Sequence, residues 1–539
     1  MKTIICYISF LLFFIFNFPL LATSNQSFDQ NLDIHDNKAG IIIGDEEVVK
    51  RSMFPHDFLF GVATSAYQIE GAYLEDGKSL NNWDVFSRIP GNIANGDNGY
   101  VADDHYHRYM EDIENLKNLR VNTYRFSISW ARILPRGRYG EVNPLGVAFY
   151  NKIIDNLVLA GIEPFVTIYH ADLPQELEDR YGSWLNATIQ EDFVHFAKTC
   201  FENFGDRVRY WSTINEPNLL TDMSYIRGWF PPGHCSPPFG NCSRGNSDVE
   251  PLIVIHNMLI SHAKAVKLYR DQFQPIQGGT IGIVIVAVNY EPYRDDIFSH
   301  QAVERAFAFN VAWVMDPLIY GDYPPLMRKY HGKELPMFSK EERELVKGSV
   351  DFFGINHYTS LYAIDCFFYS AECNSGEKRR IRGFAGTTGY RDGIPIGDET
   401  GNPRFFVVPQ GMEKVMNYMG VKYPNTTLYV TENGYSPPRL STNRSDMLQD
   451  FKRVKYHQAY LKSLARAIRR GAKVKGYFAW TLMDNFEWAS GYNVTYGLYY
   501  VDRRTQIRTP KLSAKWYAKF LAENSPFTKQ KSIPRSAYF

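Results

Sequence analysis

From Phe54 onward, two spacings of apolar residues alternate along the chain. Short, β-rich apolar runs lie at Phe58–Ala66, Asn122–Trp130, Glu163–His170, Tyr210–Asn215, Thr280–Val288, Phe352–His357, Thr427–Thr431 and Lys475–Leu482. Each predicts a strand, and several are continuously apolar, as expected when both faces of a strand are buried. Between them apolar residues recur at helical spacing. His105–Leu119 places Tyr109, Ile113, Leu116 and Leu119 on one face, and Pro144–Ala160 does so with Phe149, Ile153, Leu157 and Ala160. Asp450–Arg470 repeats the pattern with Val454, Leu461, Leu464, Ala465 and Ile468. Strands alternating with helices predict a parallel α/β fold. Eight such units predict a single-domain (β/α)8 TIM barrel with long βα loops, over residues 53–525. The rival, an open doubly wound sheet, would prefer a glycine-rich phosphate loop after its first strand. No G-x-G-x-x-G occurs there, and no repeat of solenoid length or interdomain linker interrupts the pattern.

The ends of the chain follow other rules. Lys2, the apolar run Ile4–Leu21 and the small residues Ala22, Thr23 and Ser24 read as a signal peptide over residues 1–23. An uncleaved anchor is the alternative, because the run approaches membrane-spanning length. Residues 24–52 are polar and aperiodic, a poorly ordered leader. Residues 526–539 form a C-terminal tail ending in SAYF, which is not a KDEL-type retention signal. Secretion, with no stable membrane association after cleavage, is the expectation. N-x-S/T acceptors at Asn25, Asn186, Asn241, Asn425, Asn443 and Asn493 agree with it. Cys235 and Cys242 flank a Pro- and Gly-rich loop and are a candidate disulfide, and Cys366 and Cys373 have the same spacing. Cys6 lies in the signal, and Cys200 lies on an amphipathic helix as a buried thiol.

Charge and composition remove some functions. The formal net charge of +1 gives no basic bias for a nucleic-acid partner. The aromatic content of 15% suits ring stacking against a sugar, although a large core accounts for most of it.

Position carries more information. In an α/β barrel, chemistry collects where strands end. Here the predicted strands end in polar or aromatic residues that a core would not select. These are Gln68 and Glu70, Ser129–Arg132, His170 and Asp172, Asn215–Glu216, Asn356–Tyr358, Glu432–Asn433, and Trp480 followed by Asp484–Trp488. Glu216 and Glu432 each close a buried strand. Two carboxyl groups facing each other across a sugar, one protonated and one ionised, are what glycoside hydrolysis needs. The plain alternative for either is an ion pair at the barrel mouth. Asn215 is placed to bind a sugar hydroxyl, and Arg125 and Tyr358 are candidates to keep Glu432 ionised.

With these residues in view, the chain resembles glycoside hydrolase family 1, and within it the plant β-glucosidases. The motifs are FLFGVATSAYQIEGA (58–72), YRFSISWARILP (124–135), TINEP (213–217), Asn356 with Tyr358, VTENGY (430–435) and WTLMDNFEWASGY (480–492). The resemblance spans about Phe54 to Phe520. It implies a retaining double displacement on a small-molecule β-glucoside, without a metal or other cofactor. It makes Glu216 the acid/base and Glu432 the nucleophile. It assigns Gln68, His170, Asn215, Trp480 and Glu487 to the sugar hydroxyls and Trp488 to the platform beneath the ring. Tyr496 would close the pocket, Tyr358 would stand beside the nucleophile, and Arg125 and Asn356 would support the pair. It also implies the Cys235–Cys242 loop.

Glutamate rather than glutamine at 216 favours O-glycosides over thioglucosides, and Glu487–Trp488 favours unphosphorylated sugars. The family's His–aromatic–Asp run is His170–Ala171–Asp172 here, which predicts a roomier pocket. The stretches 76–93, 133–143 and 365–373 are most similar to the monolignol, coniferin-type branch. Phe239, Phe367, Phe368 and Phe406 are candidates for an aromatic aglycone cleft. A transglucosidase using the same two glutamates and a non-catalytic sugar-binding barrel are the competing functions.

Overall fold

A computed structural model describes residues 48–438 and 443–523. Eight parallel strands close into a barrel: β1 (Leu59–Ala63), β2 (Thr123–Ser127), β3 (Glu163–Tyr169), β4 (Tyr210–Asn215), β5 (Thr280–Val286), β6 (Phe352–Asn356), β7 (Thr427–Asn433) and β8 (Val474–Trp480). Each pairs with its sequence neighbours, and β8 pairs back onto β1, Leu59 opposite Gly476. The (β/α)8 expectation holds. Helices surround the barrel, including α1 (His105–Leu119), α2 (Pro144–Leu159), α3 (Ile189–Phe204), α4 (Glu250–Leu268), α5 (Gln410–Lys422), α6 (Phe451–Arg469) and α7 (Leu512–Ala522).

Local chemistry sets the helix limits. Pro144 occupies the first turn of α2, where its missing N–H costs nothing, and the Asn143 side chain accepts from Leu145 N. Arg120, in the left-handed region at φ 61°, ends α1. The buried face of α1 is less apolar than its periodicity predicts. Asp112 lies inside it, paired with His105 at 2.8 Å and with Arg508 at 2.9 Å.

Rings of Phe165, Tyr210, Phe352, Tyr429 and Phe478 meet inside the barrel, with Phe165 5.1 to 5.6 Å from each of the other four. Small residues make room for them. A Cβ on Gly61 would sit 2.6 Å from the Phe478 ring, and one on Gly282 would sit 2.7 Å from the Phe352 ring and 2.2 Å from the Phe352 carbonyl oxygen. Large rings beside glycines thus fill the interior, so the barrel is a core and not a pore. Tyr210 and Phe352 open their strands, whereas Asn215 and Asn356 close the same two strands. The polar mouth therefore lies at the carboxyl end. The long connections, 64–104, 216–249, 357–409 and 481–511, all leave from that end.

Residues 48–52, read from the sequence as the end of a poorly ordered leader, are packed in place. Val49 is buried in the core, and Arg51 donates to the carbonyls of Phe54, Pro55 and His56. Residues 48–52 are anchored because Arg51 also lies 4.9 Å over the Phe60 ring. The residues read as a signal peptide, Asn25, Cys6, most of the segment read as a leader and the C-terminal tail lie outside the described residues. Cys235–Cys242 and Cys366–Cys373 are both disulfide-bonded, and Cys200 is a buried free thiol. Asn186, Asn241, Asn425, Asn443 and Asn493 are exposed. Among the described residues, no helix is long and apolar enough to cross a membrane.

Candidate active site

Strand irregularity aims the two carboxylates. A regular strand sends successive side chains to opposite faces. The β4–β5 register shifts between Ser212 and Asn215, and the β6–β7 register shifts between Val430 and Glu432. Such bulges re-aim side chains next to functional sites. Glu216 itself stands at φ 48° and ψ 54°, left-handed and unusual for a side-chain-bearing residue. Its N–H donates to Val284 O and its carbonyl accepts from Leu220 N, both at 2.8 Å. The strand on one side and the short helix Pro217–Thr221 on the other hold that conformation.

One network joins both groups. Arg125 of β2, fully buried, donates through Nη1 to Glu432 Oε1 at 2.7 Å and through Nη2 to Asn215 Oδ1 at 2.8 Å. Tyr358 OH donates to Glu432 Oε2 at 2.7 Å. Asn356 Nδ2 donates to Glu216 Oε1 at 2.8 Å and to Asn215 Oδ1 at 3.2 Å. Asn215 Oδ1 thus accepts from both Arg125 and Asn356, which ties the two carboxyl groups into one network. Thr431 Oγ1 donates to Asn356 Oδ1 at 2.7 Å, which turns the Asn356 amide toward the acids.

These neighbours divide the protonation states. Burial, then the charge of Glu432, pushes the Glu216 carboxyl up to about 8. Burial also raises Glu432, but Arg125 and the Tyr358 hydroxyl work against it. Between the two, the proton is favoured on Glu216 and the charge on Glu432, the one that carries Arg125 and the Tyr358 hydroxyl. Such a pair can donate a proton and attack as a nucleophile in one step.

The sugar-binding candidates surround the pair. His170 lies nearly parallel to Trp480 and to Trp488, at 6.0 and 5.9 Å between ring centres. Asn215 Nδ2 faces His170 Nε2 at 3.2 Å, which places the imidazole proton on Nδ1, a buried atom without a protein partner. Burial, then Arg125, pushes His170 well below its usual range and keeps it neutral. Burial, then Glu432, pushes Glu487 up to about 8. Gln68 is wholly buried behind Glu487; its Nε2 donates to Glu487 Oε2 at 3.2 Å and to Phe486 O at 2.9 Å. Tyr496 packs edge-on to Tyr358. Rings beside polar atoms suit a molecule with apolar faces and a hydroxyl rim. Among the described residues, no cluster of three or more His, Cys, Asp or Glu is placed to hold a metal.

The cleft has a volume of about 950 Å3. Of the four phenylalanines named for its outer half, only Phe239 lines it. Phe367 and Phe368 are exposed, Phe368 stacking on Phe298 at 4.1 Å, and Phe406 is buried in the core. Phe230 and Phe405, absent from that set, line the cleft instead, and Phe405 stacks on Tyr358 at 5.1 Å. Loop residues without periodicity gave no signal for this exchange. Thr431 was legible only as a neighbour of Glu432.

Ala171 lines the cleft at φ 69°, and its carbonyl accepts from Trp83 Nε1 at 3.1 Å. An indole there would occupy the outer cleft. For Ala171→Trp, the ratio of kcat/KM for a bulky aglycone to that for a small one should fall about tenfold. Comparing two substrates on each enzyme cancels the backbone strain of a large residue at positive φ. An unchanged ratio would rule out Ala171 as a determinant of pocket width.

The glycosyl hydrolase family 1 model matches residues 50–526. A protein of Oryza sativa subsp. japonica named "Probable inactive beta-glucosidase 14" is 52% identical, over 88% of this chain and 92% of its own. The coniferin beta-glucosidase of Pinus contorta is 48% identical, over 87% of this chain and 92% of its own. Among solved structures, the rice Os3BGlu6 beta-glucosidase superposes with a TM-score of 0.84 at 41% identity, covering 87% of this chain and 99% of that one. A closed eight-stranded barrel, two unlike carboxyl environments at its mouth and a family match over nearly all described residues agree: the chain belongs to glycosyl hydrolase family 1 and is an O-glycosidase related to the β-glucosidases.

Proposed function

We propose that the protein is a retaining β-glucosidase acting by double displacement on O-linked β-glucosides of phenolic, phenylpropanoid-type aglycones. Glu432 attacks the anomeric carbon as the bond to the aglycone oxygen breaks, and Glu216 gives that oxygen its proton. Glu216 then takes a proton from water, the water oxygen attacks the same carbon, and Glu432 leaves. Two inversions return the β configuration. The unlike environments of the two carboxyls support these roles: the ionised one carries Arg125 and Tyr358, and the protonated one carries only the Asn356 amide. One relative is named a probable inactive glucosidase; this chain has both carboxyl groups, each hydrogen-bonded, which supports turnover. The name of the Pinus contorta relative supports the aglycone class. Two disulfides and five exposed N-x-S/T acceptors support a secretory route.

The test is proton NMR of the released sugar, with an aryl β-glucoside and with coniferin as substrates. The β anomer should appear first and equilibrate later. Initial release of α-glucose excludes double displacement, and no release from coniferin excludes this aglycone class.

A further inference from the structure

The outer half of the cleft holds an unbalanced set of charges that glucose chemistry does not use. Asp222 lies six residues past Glu216, and Arg227 follows in the same connection. Arg382 and Arg404 come from the connection after β6, and Tyr290 follows β5. All five line the cleft. Arg227 Nε donates to Asp222 Oδ2 at 3.1 Å, and Arg382 Nη2 donates to Asp222 Oδ1. Both oxygens of the one carboxylate are therefore engaged by two arginines. The third, Arg404, has its Nη1 buried without a partner.

Electrostatics agree with this geometry. Burial works to raise the Asp222 carboxyl, but Arg382, Arg227 and Arg404 outweigh it and hold it well below the usual carboxylate range. Burial, then Arg227, lowers the Arg404 guanidinium from its usual range, and Asp222 only partly opposes them, so Arg404 stays a cation under strain from its neighbours. Another acid on this lining, Glu377, accepts backbone N–H groups of Asn374 and Thr387. Three buried or half-buried cations sharing one carboxylate leave a surplus of positive charge that an incoming anion would offset. A guanidinium presents a planar fork that fits a carboxylate at two points. The position also matters. Arg404 precedes Phe405, whose ring stacks on Tyr358, the residue bonded to Glu432. The cations therefore stand on the aglycone side, one residue from the wall of the catalytic pocket.

We infer that Arg404, with Arg382 and Arg227, forms an anion subsite in the aglycone half of the cleft, and that the preferred aglycone carries a carboxylate: a phenolic acid of phenylpropanoid size rather than the corresponding alcohol or ester. This deepens the glucosidase reading and rests on it for the substrate. The test compares the para-O-β-glucoside of a hydroxycinnamic acid with that of its methyl ester, on wild-type and Arg404→Gln protein. In wild type kcat/KM for the acid should exceed that for the ester at least about tenfold, the scale of one well-made polar contact. Added salt should weaken the preference, and Arg404→Gln should bring the ratio close to one. If Arg404→Gln does not fold, Arg382→Gln should lower the same ratio. Equal kcat/KM for acid and ester in wild type, or an unchanged ratio in the folded variant, overturns the subsite. If no β-glucoside at all is hydrolysed, the glucosidase reading fails by itself. Calorimetric binding of the free acid and of its methyl ester to the same proteins then decides the subsite. Tighter binding of the acid, lost in the variant, upholds it, and equal binding refutes it.

Discussion

Glu432→Gly protein should hydrolyse aryl β-glucosides at least about four orders of magnitude more slowly than wild type, with its fold retained. The loss is large because nothing else within reach can attack the anomeric carbon. Glu216 holds its proton near neutrality, and Glu487 is pushed up to about 8 and hydrogen-bonded to Gln68. The variant leaves Arg125 a buried cation with only Asn215 and the Thr431 carbonyl beside it. A small anion should fill that hole. With a good leaving group, added azide should restore turnover by direct displacement and give α-glucosyl azide, the product of one inversion. The same anion added to Glu216→Gly should instead intercept the glycosyl-enzyme and give the β-azide. The reverse outcome, β-azide from Glu432→Gly and α-azide from Glu216→Gly, would mean that the two roles are assigned wrongly.

Glu216→Gln should separate substrates by leaving group. Proton donation contributes about 10²- to 10⁴-fold when the departing oxygen is basic and little when it is a stable phenolate. Glycosylation of the variant by a dinitrophenyl glucoside should stay near wild type, while kcat/KM for a glucoside of an unsubstituted phenol falls about a thousandfold. In wild type, kcat/KM for the poor leaving group should fall as pH rises through about 8, where Glu216 loses its proton. That alkaline limb should vanish in Glu216→Gln. A limb that persists belongs to Glu487, which titrates in the same range.

Stability should move the other way. Folding raises the Glu216 carboxyl from its unfolded range near 4 to about 8, so the folded state holds the extra proton between them. The associated stability is complete below the unfolded value and is lost as pH rises through the folded one. Glutamine has no such loss. The melting temperature of Glu216→Gln should therefore exceed that of wild type increasingly from pH 4 to pH 8, by a few kcal/mol in free energy at the upper end. A difference that does not change with pH would show that Glu216 is not held protonated by the fold.

The sequence alone was enough for the architecture, because burial on both faces of a strand is recorded locally. The eight apolar runs became the eight barrel strands, with ends shifted by up to three residues, and α1 fell at its expected limits. It was also enough to single out Glu216 and Glu432, since each follows a buried run where such a barrel places its chemistry. Side-chain partnership was only partly legible. Arg125 and Tyr358 were expected beside Glu432 and stand there. The amide of Asn356 reaching Glu216, and Thr431 orienting it, depend on register shifts that strand alternation does not record. Only the tertiary structure decided the outer cleft. Asp222, Arg227, Arg382 and Arg404 come from two connections about 160 residues apart, and loops have no periodicity from which a facing side can be read. Phe367 and Phe368 turned outward, and Phe230 and Phe405 turned in, for the same reason. A surplus of one charge over another is a property of three-dimensional neighbours, and the order of residues along the chain does not contain it.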